Sequence, residues 1–364
     1  MRKICIINKK GGVGKTTTTV NLGAGLSRKN RRILLLDLDP QGSVGTCFND
    51  SSQKDMYDFL LENADIRECI RPLGINFDMI SSKETLLVAE THMHKMENKE
   101  TLLRRKLNDY KDVISKYDYL LIDCPPTLGL LTLNAVMACS EAIIPTACDY
   151  LSYHNTKIVY EFIENMSERY DHDIEVSKIV PTLYDPKCND SNTILTEIKN
   201  DFYEIVADPI RNSSKIKEAP RCGQSIFKYA ADSKGAEDYF RLVNQVMYDE
   251  RKYKITPRAE VEEEIDSEGF VAERAKSRPA TKMKKATKPS KKGRAKTAKA
   301  TKKAAKAKEA KTKKKASRTA YEKEDKQREQ NRVKKKKVRS KRIAKKYKVQ
   351  SPSNSSGFYA EFAG

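Results

Sequence analysis

The chain has 364 residues and a formal net charge of +21, from 71 Lys and Arg against 50 Asp and Glu. Residues 274–348 hold 35 of the basic and 5 of the acidic side chains, so the rest of the chain is mildly acidic. Eight Cys without a Cys-x-x-Cys pair, no predicted signal peptide and no uninterrupted apolar run of about 18 residues disfavour secreted, disulfide-linked and membrane-spanning proteins.

Short apolar runs alternate with helical periodicity before the basic region. Five runs rich in Ile, Leu and Val are predicted to be β-strands buried on both faces, at residues 3–8, 33–38, 119–123, 141–146 and 176–183. Helices are predicted at residues 17–28, 99–115, 128–138, 156–169 and 235–248. This alternation predicts an α/β fold in which helices flank a mostly parallel sheet.

Composition divides the chain into four parts. Residues 1–250 are predicted to form the globular domain and residues 251–273 an acidic linker, in which 260–273 hold seven Asp and Glu. The Lys- and Ala-rich residues 274–348 have little apolar surface to bury, so this basic C-terminal tail is predicted to be disordered. Residues 349–364 are a short C-terminal end without an assigned role.

A glycine-rich sequence follows the first predicted strand, and the next helix begins directly after it. It reads Lys-Gly-Gly-Val-Gly-Lys-Thr-Thr from Lys10 to Thr17. The glycines let backbone N–H groups turn toward phosphate oxygens at the positive end of the helix. This order is typical of a P-loop, in which Lys15 bridges the β- and γ-phosphates and the Thr16 hydroxyl binds Mg²⁺. The fold is therefore predicted to be P-loop NTPase-like.

Three carboxylates stand at the ends of predicted strands. Asp123 ends one apolar strand, where a P-loop enzyme needs an acid to hold a Mg²⁺-bound water. Asp37 and Asp39 lie at the end of another strand, and the carboxyl ends of strands in an open α/β sheet face the ligand crevice. The alternative for Asp37 or Asp39 is a helix cap or a turn former.

Four segments together resemble the ParA/MinD family of deviant P-loop ATPases, and its ParA (partition ATPase) branch in particular. They are residues 10–26, 34–43, 118–135 and the pair 216–220 with 233–239, and the resemblance extends over about residues 2–249. It implies an enzyme that hydrolyses ATP to ADP and phosphate, with ATP and Mg²⁺ as its cofactors.

The resemblance also implies roles for individual residues. Lys10 is similar to the signature lysine that reaches the partner protomer's nucleotide, Asp39 to the residue that positions the attacking water, and Thr17 to an α-phosphate contact. The implied catalytic set is Lys10, Lys15 and Asp39, and the implied metal set is Thr16, Asp37 and Asp123. The implied ATP-binding residues are Lys10, Gly11, Gly12, Val13, Gly14, Lys15, Thr16 and Thr17, with Thr182, Pro209, Arg211 and Asn212 in the adenine pocket.

Two lysines fall where ParA-like proteins carry basic residues for sequence-independent DNA binding. They are Lys187 and Lys215, which lie in two separate predicted loops. The alternative for each one alone is an ordinary solvated surface lysine. The occurrence of both favours DNA.

The sequence departs from the family pattern at two places. Lys9 stands where Gln is common, which adds a positive charge beside the P-loop. Residues 149–155 are interpreted as lacking the usual acidic, glycine-containing helix start, which puts partner contacts in doubt. No helix-turn-helix domain precedes the P-loop, which disfavours an operator-binding repressor.

The implied function is that of an ATP-dependent homodimer. It binds DNA nonspecifically in its ATP form and releases it when a ParB-like centromere-binding partner stimulates hydrolysis, so that chromosome or plasmid DNA is segregated or positioned. The expected location is the cytoplasm, in association with nucleoid DNA, with no membrane partner. The tail is predicted to bind DNA even without ATP, steeply dependent on salt, and its alternative role is a solubilising or RNA-binding extension.

Two other functions remain open. A MinD-like positioning ATPase shares the nucleotide site, but the basic tail lacks the apolar helix face that docks on a membrane. A histone-tail-like architectural DNA-binding protein with weak or vestigial ATPase activity would explain the tail. An iron-protein relative is disfavoured, because Cys124 has no glycine-flanked second Cys to bridge a cluster.

Overall fold

The strands of the protein form one sheet within residues 1–251, which are the residues that the computed structural model describes. They are Arg2–Ile6 (β1), Ile33–Asp37 (β2), Arg71–Gly74 (β3), Phe77–Ile80 (β4), Tyr119–Asp123 (β5), Glu141–Ala147 (β6) and Glu175–Thr182 (β7). Their spatial order is β3-β4-β2-β5-β1-β6-β7, and every neighbouring pair is parallel except β3 and β4.

Helices connect the strands and cover both faces of the sheet. The α-helices are Lys15–Ser27 (α1), Ser43–Cys47 (α2), Met56–Leu61 (α3), Ile66–Cys69 (α4), Thr85–Met93 (α5), Leu102–Asp109 (α6), Lys111–Ile114 (α7), Leu130–Ala138 (α8), Tyr150–Arg169 (α9), Asn189–Asp201 (α10), Ser214–Glu218 (α11), Ile226–Tyr229 (α12) and Lys234–Tyr248 (α13). Short 3₁₀ helices occupy Lys99–Thr101, Ala219–Cys222 and Asp249–Arg251. Within the described residues, no helix is long and apolar enough to cross a membrane.

Alternate residues of each central strand enter two separate apolar cores. Ile4 and Ile6 of β1 pack with α1, α2, α12 and α13, whereas Cys5 packs with the helices from α3 to α10 on the opposite face. Both faces of a parallel sheet are covered by helices, which is why these strands are continuously apolar. The predicted α/β, P-loop NTPase-like fold class is thus confirmed for the described residues.

A buried polar network holds the amino-terminal ends of the strands. The guanidinium of Arg2 donates to both oxygens of Glu141, at 2.8 and 2.5 Å, and both side chains are almost fully buried. Tyr119 donates to Glu250 at 2.7 Å, and Arg31 donates to both Glu250 oxygens at 2.8 and 2.9 Å. The last described turn is therefore fixed at the edge of the sheet where the strands begin.

Several element predictions need correction. The antiparallel hairpin of β3 and β4 and helix α10 were not predicted. The predicted helix 99–115 is three shorter helices, and the helix predicted at 156–169 begins at Tyr150, because Asp149 caps it with a hydrogen bond from Ser152 N. From residue 252 onward, the predicted linker, tail and C-terminal end lie outside the described residues, and the domain boundaries stay predictions.

Candidate functional site

The predicted P-loop joins β1 to α1 at the carboxyl edge of the sheet. Gly12 and Gly14 adopt left-handed backbone conformations, with φ of +74° and +86°, which side-chain-bearing residues rarely adopt. Gly14 caps the amino terminus of α1. A Cβ atom at Gly11 or Gly12 would meet no atom within 4 Å, so this part of the loop faces open space. The loop can therefore present backbone N–H groups to an anion at a helix terminus.

Lys15 supplies a buried positive charge at this loop. Its side chain lies back over the loop, and Nζ donates to the Lys10 carbonyl at 3.2 Å. Burial lowers the pKa of Lys15, and the nearby carboxylates of Asp123 and Asp39 oppose that shift. A cation held in this way can stabilise negative charge on phosphate oxygens.

Asp123, at the end of β5, lies beside the first turn of α1. Its two oxygens accept hydrogen bonds from Thr16 Oγ1 at 2.7 Å and Thr19 Oγ1 at 2.8 Å. Burial raises the pKa of Asp123 to about 6, although the two hydroxyls and Lys15 oppose that shift. The structure thus brings Thr16 and Asp123 together, and it adds Thr19, which the sequence analysis did not single out.

Asp37 and Asp39 complete the acidic end of the sheet. Asp37 is fully buried, is paired in register with Asp123, and accepts from Asp39 N at 3.0 Å and Val44 N at 3.1 Å. Burial, followed by the proximity of Asp123, raises the pKa of Asp37 well above its usual range. Asp39 is also buried and accepts from Gln41 N at 3.0 Å.

The donor chemistry of this cluster fits Mg²⁺. Thr16, Asp37 and Asp123 offer hard oxygen atoms, and two of them are carboxylates whose mutual repulsion a cation would relieve. Within residues 1–251, no group of three His, Cys, Asp or Glu is arranged to hold a metal by itself. This agrees with Mg²⁺, which usually takes one or two protein carboxylates together with water and substrate phosphates.

Lys10 is held by the start of α9. Its Nζ lies 2.8 and 3.1 Å from the two Asp149 oxygens and 3.0 Å from Ser152 Oγ. Burial alone would raise the pKa of Asp149, but the hydrogen bonds from Lys10 and Ser152 outweigh it and lower that pKa. Residues 149–155 contain no glycine, and the first turn of α9 contains no acidic residue, but Asp149 is an acidic amino-terminal cap of this helix. An Asp directly before a helix is a typical amino-terminal cap, and this was the signal for Asp149 in the sequence.

The residues predicted for an adenine pocket lie along the end of β7. Thr182 Oγ1 donates to the Val13 carbonyl at 2.8 Å, which links the end of β7 to the P-loop. Residues 209–212 run beside residues 181–184 through backbone hydrogen bonds. Arg211 is bound to the buried carboxylate of Asp238, with its closest contact at 2.6 Å. The adenine contacts of Thr182, Pro209, Arg211 and Asn212 stay predictions.

Both predicted DNA-binding lysines are exposed. Lys187 lies in a turn after β7, as predicted, but Lys215 lies on helix α11 and not in a loop. The Lys215 amine contacts Glu218 at 2.8 Å and lies 5.6 Å from the centre of the Tyr229 ring. The hydrogen bond that the Lys215 amine donates to the Glu218 carboxylate raises the pKa of Lys215. Their role in DNA binding stays a prediction.

Comparison with known proteins places this site in a family. A family model described as an AAA domain matches residues 1–176. The chain is 34% identical over 251 residues to the chromosome partitioning protein ParA of Myxococcus xanthus, which covers 68% of this chain and 88% of the relative. It is also 34% identical over 248 residues to the sporulation initiation inhibitor protein Soj of Bacillus subtilis, covering 67% of this chain and 97% of the relative. The chain belongs to the ParA-type partition ATPases of the ParA/MinD family.

A solved structure shows the same fold. Cobyrinic acid a,c-diamide synthase of Mycobacterium smegmatis, with a bound ATP analogue and magnesium, has a TM-score of 0.60 and 27% identity, covering 70% of this chain and 97% of that one. The prediction that this ParA-type chain is an ATPase with ATP and Mg²⁺ as its cofactors is confirmed by the family assignment and fits the donor set at its P-loop.

Proposed function

We propose that the protein is a partition ATPase that dimerises on ATP, binds DNA nonspecifically as the dimer and releases it on partner-stimulated hydrolysis. The observation that carries this proposal is the position of Lys10. Lys10 directly precedes Gly11 and Gly12 in the phosphate loop, and its ion pair with Asp149 is partly exposed. A lysine at this place is accessible to a second protomer that approaches the loop.

The chemistry follows from residues already described. Thr16, Asp37 and Asp123 would hold Mg²⁺, which supplies neutralising charge to the phosphate oxygens when bound. Asp39 orients a water molecule toward the γ-phosphorus, whose bond to the leaving ADP oxygen breaks as the new bond forms. Lys15, together with Lys10 of the opposite protomer, stabilises the charge on the phosphate oxygens in the transition state.

DNA binding would depend on dimerisation. Each protomer presents Lys187 and Lys215, and pairing two protomers doubles the number of weak phosphate contacts, so avidity increases without a new contact type. The basic tail would add a second contribution to DNA affinity, one that does not depend on ATP. Each phosphate that it neutralises steepens the dependence of log K on log salt by about 0.9.

We further propose a ParB-like centromere-binding protein as the partner, and nucleoid DNA in the cytoplasm as the place of action. The name of the Myxococcus xanthus relative, a chromosome partitioning protein, supports this proposal. Chromosomal and plasmid DNA are both compatible with this activity, as is a MinD-like role in positioning another cargo.

The basic composition of residues 274–348 favours one alternative, an architectural DNA-binding protein with vestigial ATPase activity. The complete set of phosphate, magnesium and water-positioning side chains argues against it. Partner-stimulated ATP turnover distinguishes the two functions, because an architectural protein would show none.

The test measures dimerisation and the protection of the protein's exposed cysteine thiols from alkylation. Cys188 and Cys222 are the two exposed cysteines of the eight, and they follow the two predicted DNA-contact regions. The Asp39→Ala variant is used to trap the ATP form, and we expect light scattering to show that it is a dimer. We also expect DNA to slow the alkylation of both thiols, and to slow it more in the presence of ATP than of ADP. Lys10→Ala serves as the control that should not dimerise. A Lys10→Ala protein that dimerises and hydrolyses ATP like the parent would refute the proposal.

A further inference from the structure

A basic segment packs against elements that form the nucleotide site. We define it as residues 213–229, which contain α11, the 3₁₀ helix Ala219–Cys222 and α12. Its basic side chains are all exposed, and they are Lys215, Lys217, Arg221 and Lys228. Glu218 is its acidic residue. Two asparagines outside the segment contact it at neighbouring positions.

Asn21 joins the segment to the P-loop helix. Its Nδ2 donates to the Thr17 carbonyl at 2.8 Å, and its Oδ1 accepts from Ile226 N at 2.8 Å. The side chain is buried, and both contacts are made within or directly onto α1. This end of the basic segment is therefore fixed to the helix that begins at the phosphate loop.

Asn49 contacts the segment at Gly223. It follows α2, adopts a left-handed φ of +52°, and its Nδ2 would lie 2.3 Å from a Cβ atom at Gly223. Gly223, with φ of +66°, leaves the space that the amide needs. Helix α2 is in turn tied to the acidic cluster, because Val44 N donates to Asp37 at 3.1 Å.

We propose that Asn49 is the positioning residue that transmits the nucleotide state to the basic segment, while Asn21 acts as a fixed pivot. This inference rests on the proposed function. A displacement of Asp37 on nucleotide binding acts on α2 through the hydrogen bond from Val44 N, and α2 carries Asn49 against Gly223. The segment then changes its orientation about the contact of Asn21 with Ile226, and the position of Lys215 changes with it.

Coupling of this kind must be reciprocal. If ATP strengthens DNA binding by some factor through this path, DNA strengthens ATP binding by the same factor, and couplings of this kind are typically about 5- to 150-fold. Dimer avidity operates separately, since it needs no movement of the segment. A variant that loses the coupling and keeps the dimer distinguishes the two effects.

The test uses the full-length Asn49→Gly protein. Glycine accepts the left-handed backbone, so the change removes the amide contact without introducing strain. The matched control is Asn30→Gly. Asn30 has a similar φ of +55° and precedes the start of β2, at the ends of the strands away from the nucleotide site. Three quantities are measured with a non-hydrolysable ATP analogue and with ADP: dimerisation, affinity for a short random-sequence duplex, and the alkylation rate of Cys222, with Cys188 as the internal reference.

We expect the parent and the control to show a nucleotide-dependent Cys222 rate and a large ratio of DNA affinities. Asn49→Gly should dimerise normally, lose the Cys222 difference and reduce the affinity ratio by about fivefold or more. The inference is overturned if Asn49→Gly keeps both differences, if it loses dimerisation, or if Cys222 of the parent does not respond to nucleotide. Absence of ATP-dependent dimerisation in the parent would instead refute the proposed function.

Discussion

Replacement of Asp149 by Asn should strengthen ATP-dependent dimerisation. In the structure the Lys10 amine contacts both Asp149 oxygens and Ser152 Oγ of its own protomer. If Lys10 reaches the other protomer's nucleotide, as proposed, these contacts must break. Asn caps a helix about as well as Asp, so Asp149→Asn removes the charge and keeps the start of α9.

The expected change in dimer stability follows from the solvent exposure of the Lys10–Asp149 ion pair. The Lys10 and Asp149 side chains are 31% and 44% exposed, so their ion pair contributes about 0.2–1 kcal/mol. Two such pairs break in each dimer, which gives roughly 0.4–2 kcal/mol. The dimer dissociation constant should therefore fall about 2- to 30-fold.

Sedimentation velocity with ATP measures this constant, with Asp39→Ala present in every protein so that ATP is not consumed. The matched control is Asp201→Asn, which removes an ion pair to Lys157 of α9 with side chains 42% and 40% exposed. The control should leave the constant unchanged. An unchanged or weaker dimer in Asp149→Asn would show that Lys10 does not leave Asp149, and the reasoning would be refuted.

Three further predictions concern stability, each measured by urea unfolding. Glu141→Gln should lower the free energy of unfolding by roughly 3–5 kcal/mol, because it leaves Arg2 as a buried charge without its carboxylate; a loss under 1 kcal/mol would contradict this. Burial raises the pKa of Asp50, but hydrogen bonds from Ser52 and Arg71 outweigh it and lower that pKa to about 2. The parent should therefore exceed Asp50→Asn in stability by about 1–2 kcal/mol at neutral pH and lose this advantage as the pH falls from about 4 to about 2, whereas a pH-independent difference would contradict the assignment. Gly25→Ala should cost about 1–3 kcal/mol, since its Cβ would lie 2.4 Å from Val243 Cγ2 in the core, and an unaltered stability would show that α1 and α13 separate freely.

Local sequence patterns were sufficient to predict the central strands and the P-loop. The strands β2 and β5 are apolar almost throughout, and β1, β6 and β7 each contain an apolar run, because both faces of the sheet are covered. The P-loop has a fixed spacing. The hairpin of β3 and β4 escaped prediction because its strands have four residues each and include Pro72 and Gly74, which weaken a strand pattern.

The contacts between distant parts of the site could not be predicted from local pattern. Lys10 and Asp149 are separated by 139 positions, and nothing in the spacing of either residue specifies the other. The same holds for Asn49 and Gly223, whose contact depends on how α2 meets the 3₁₀ helix Ala219–Cys222. Packing of separate elements, which determines such pairs, is a tertiary property.

The polar network at the amino-terminal ends of the strands also sets limits on altering the protein. Arg2 is only one residue from the first Met, so a peptide fused there joins the chain directly beside its buried contact with Glu141. At the other terminus of the domain, Glu250 holds Arg31 and Tyr119, and a tail-less protein cut before this residue would leave Arg31 without its carboxylate partner. A deletion that begins beyond residue 251 keeps these bonds, so loss of DNA affinity in such a protein can be attributed to the removed charges and not to a damaged core.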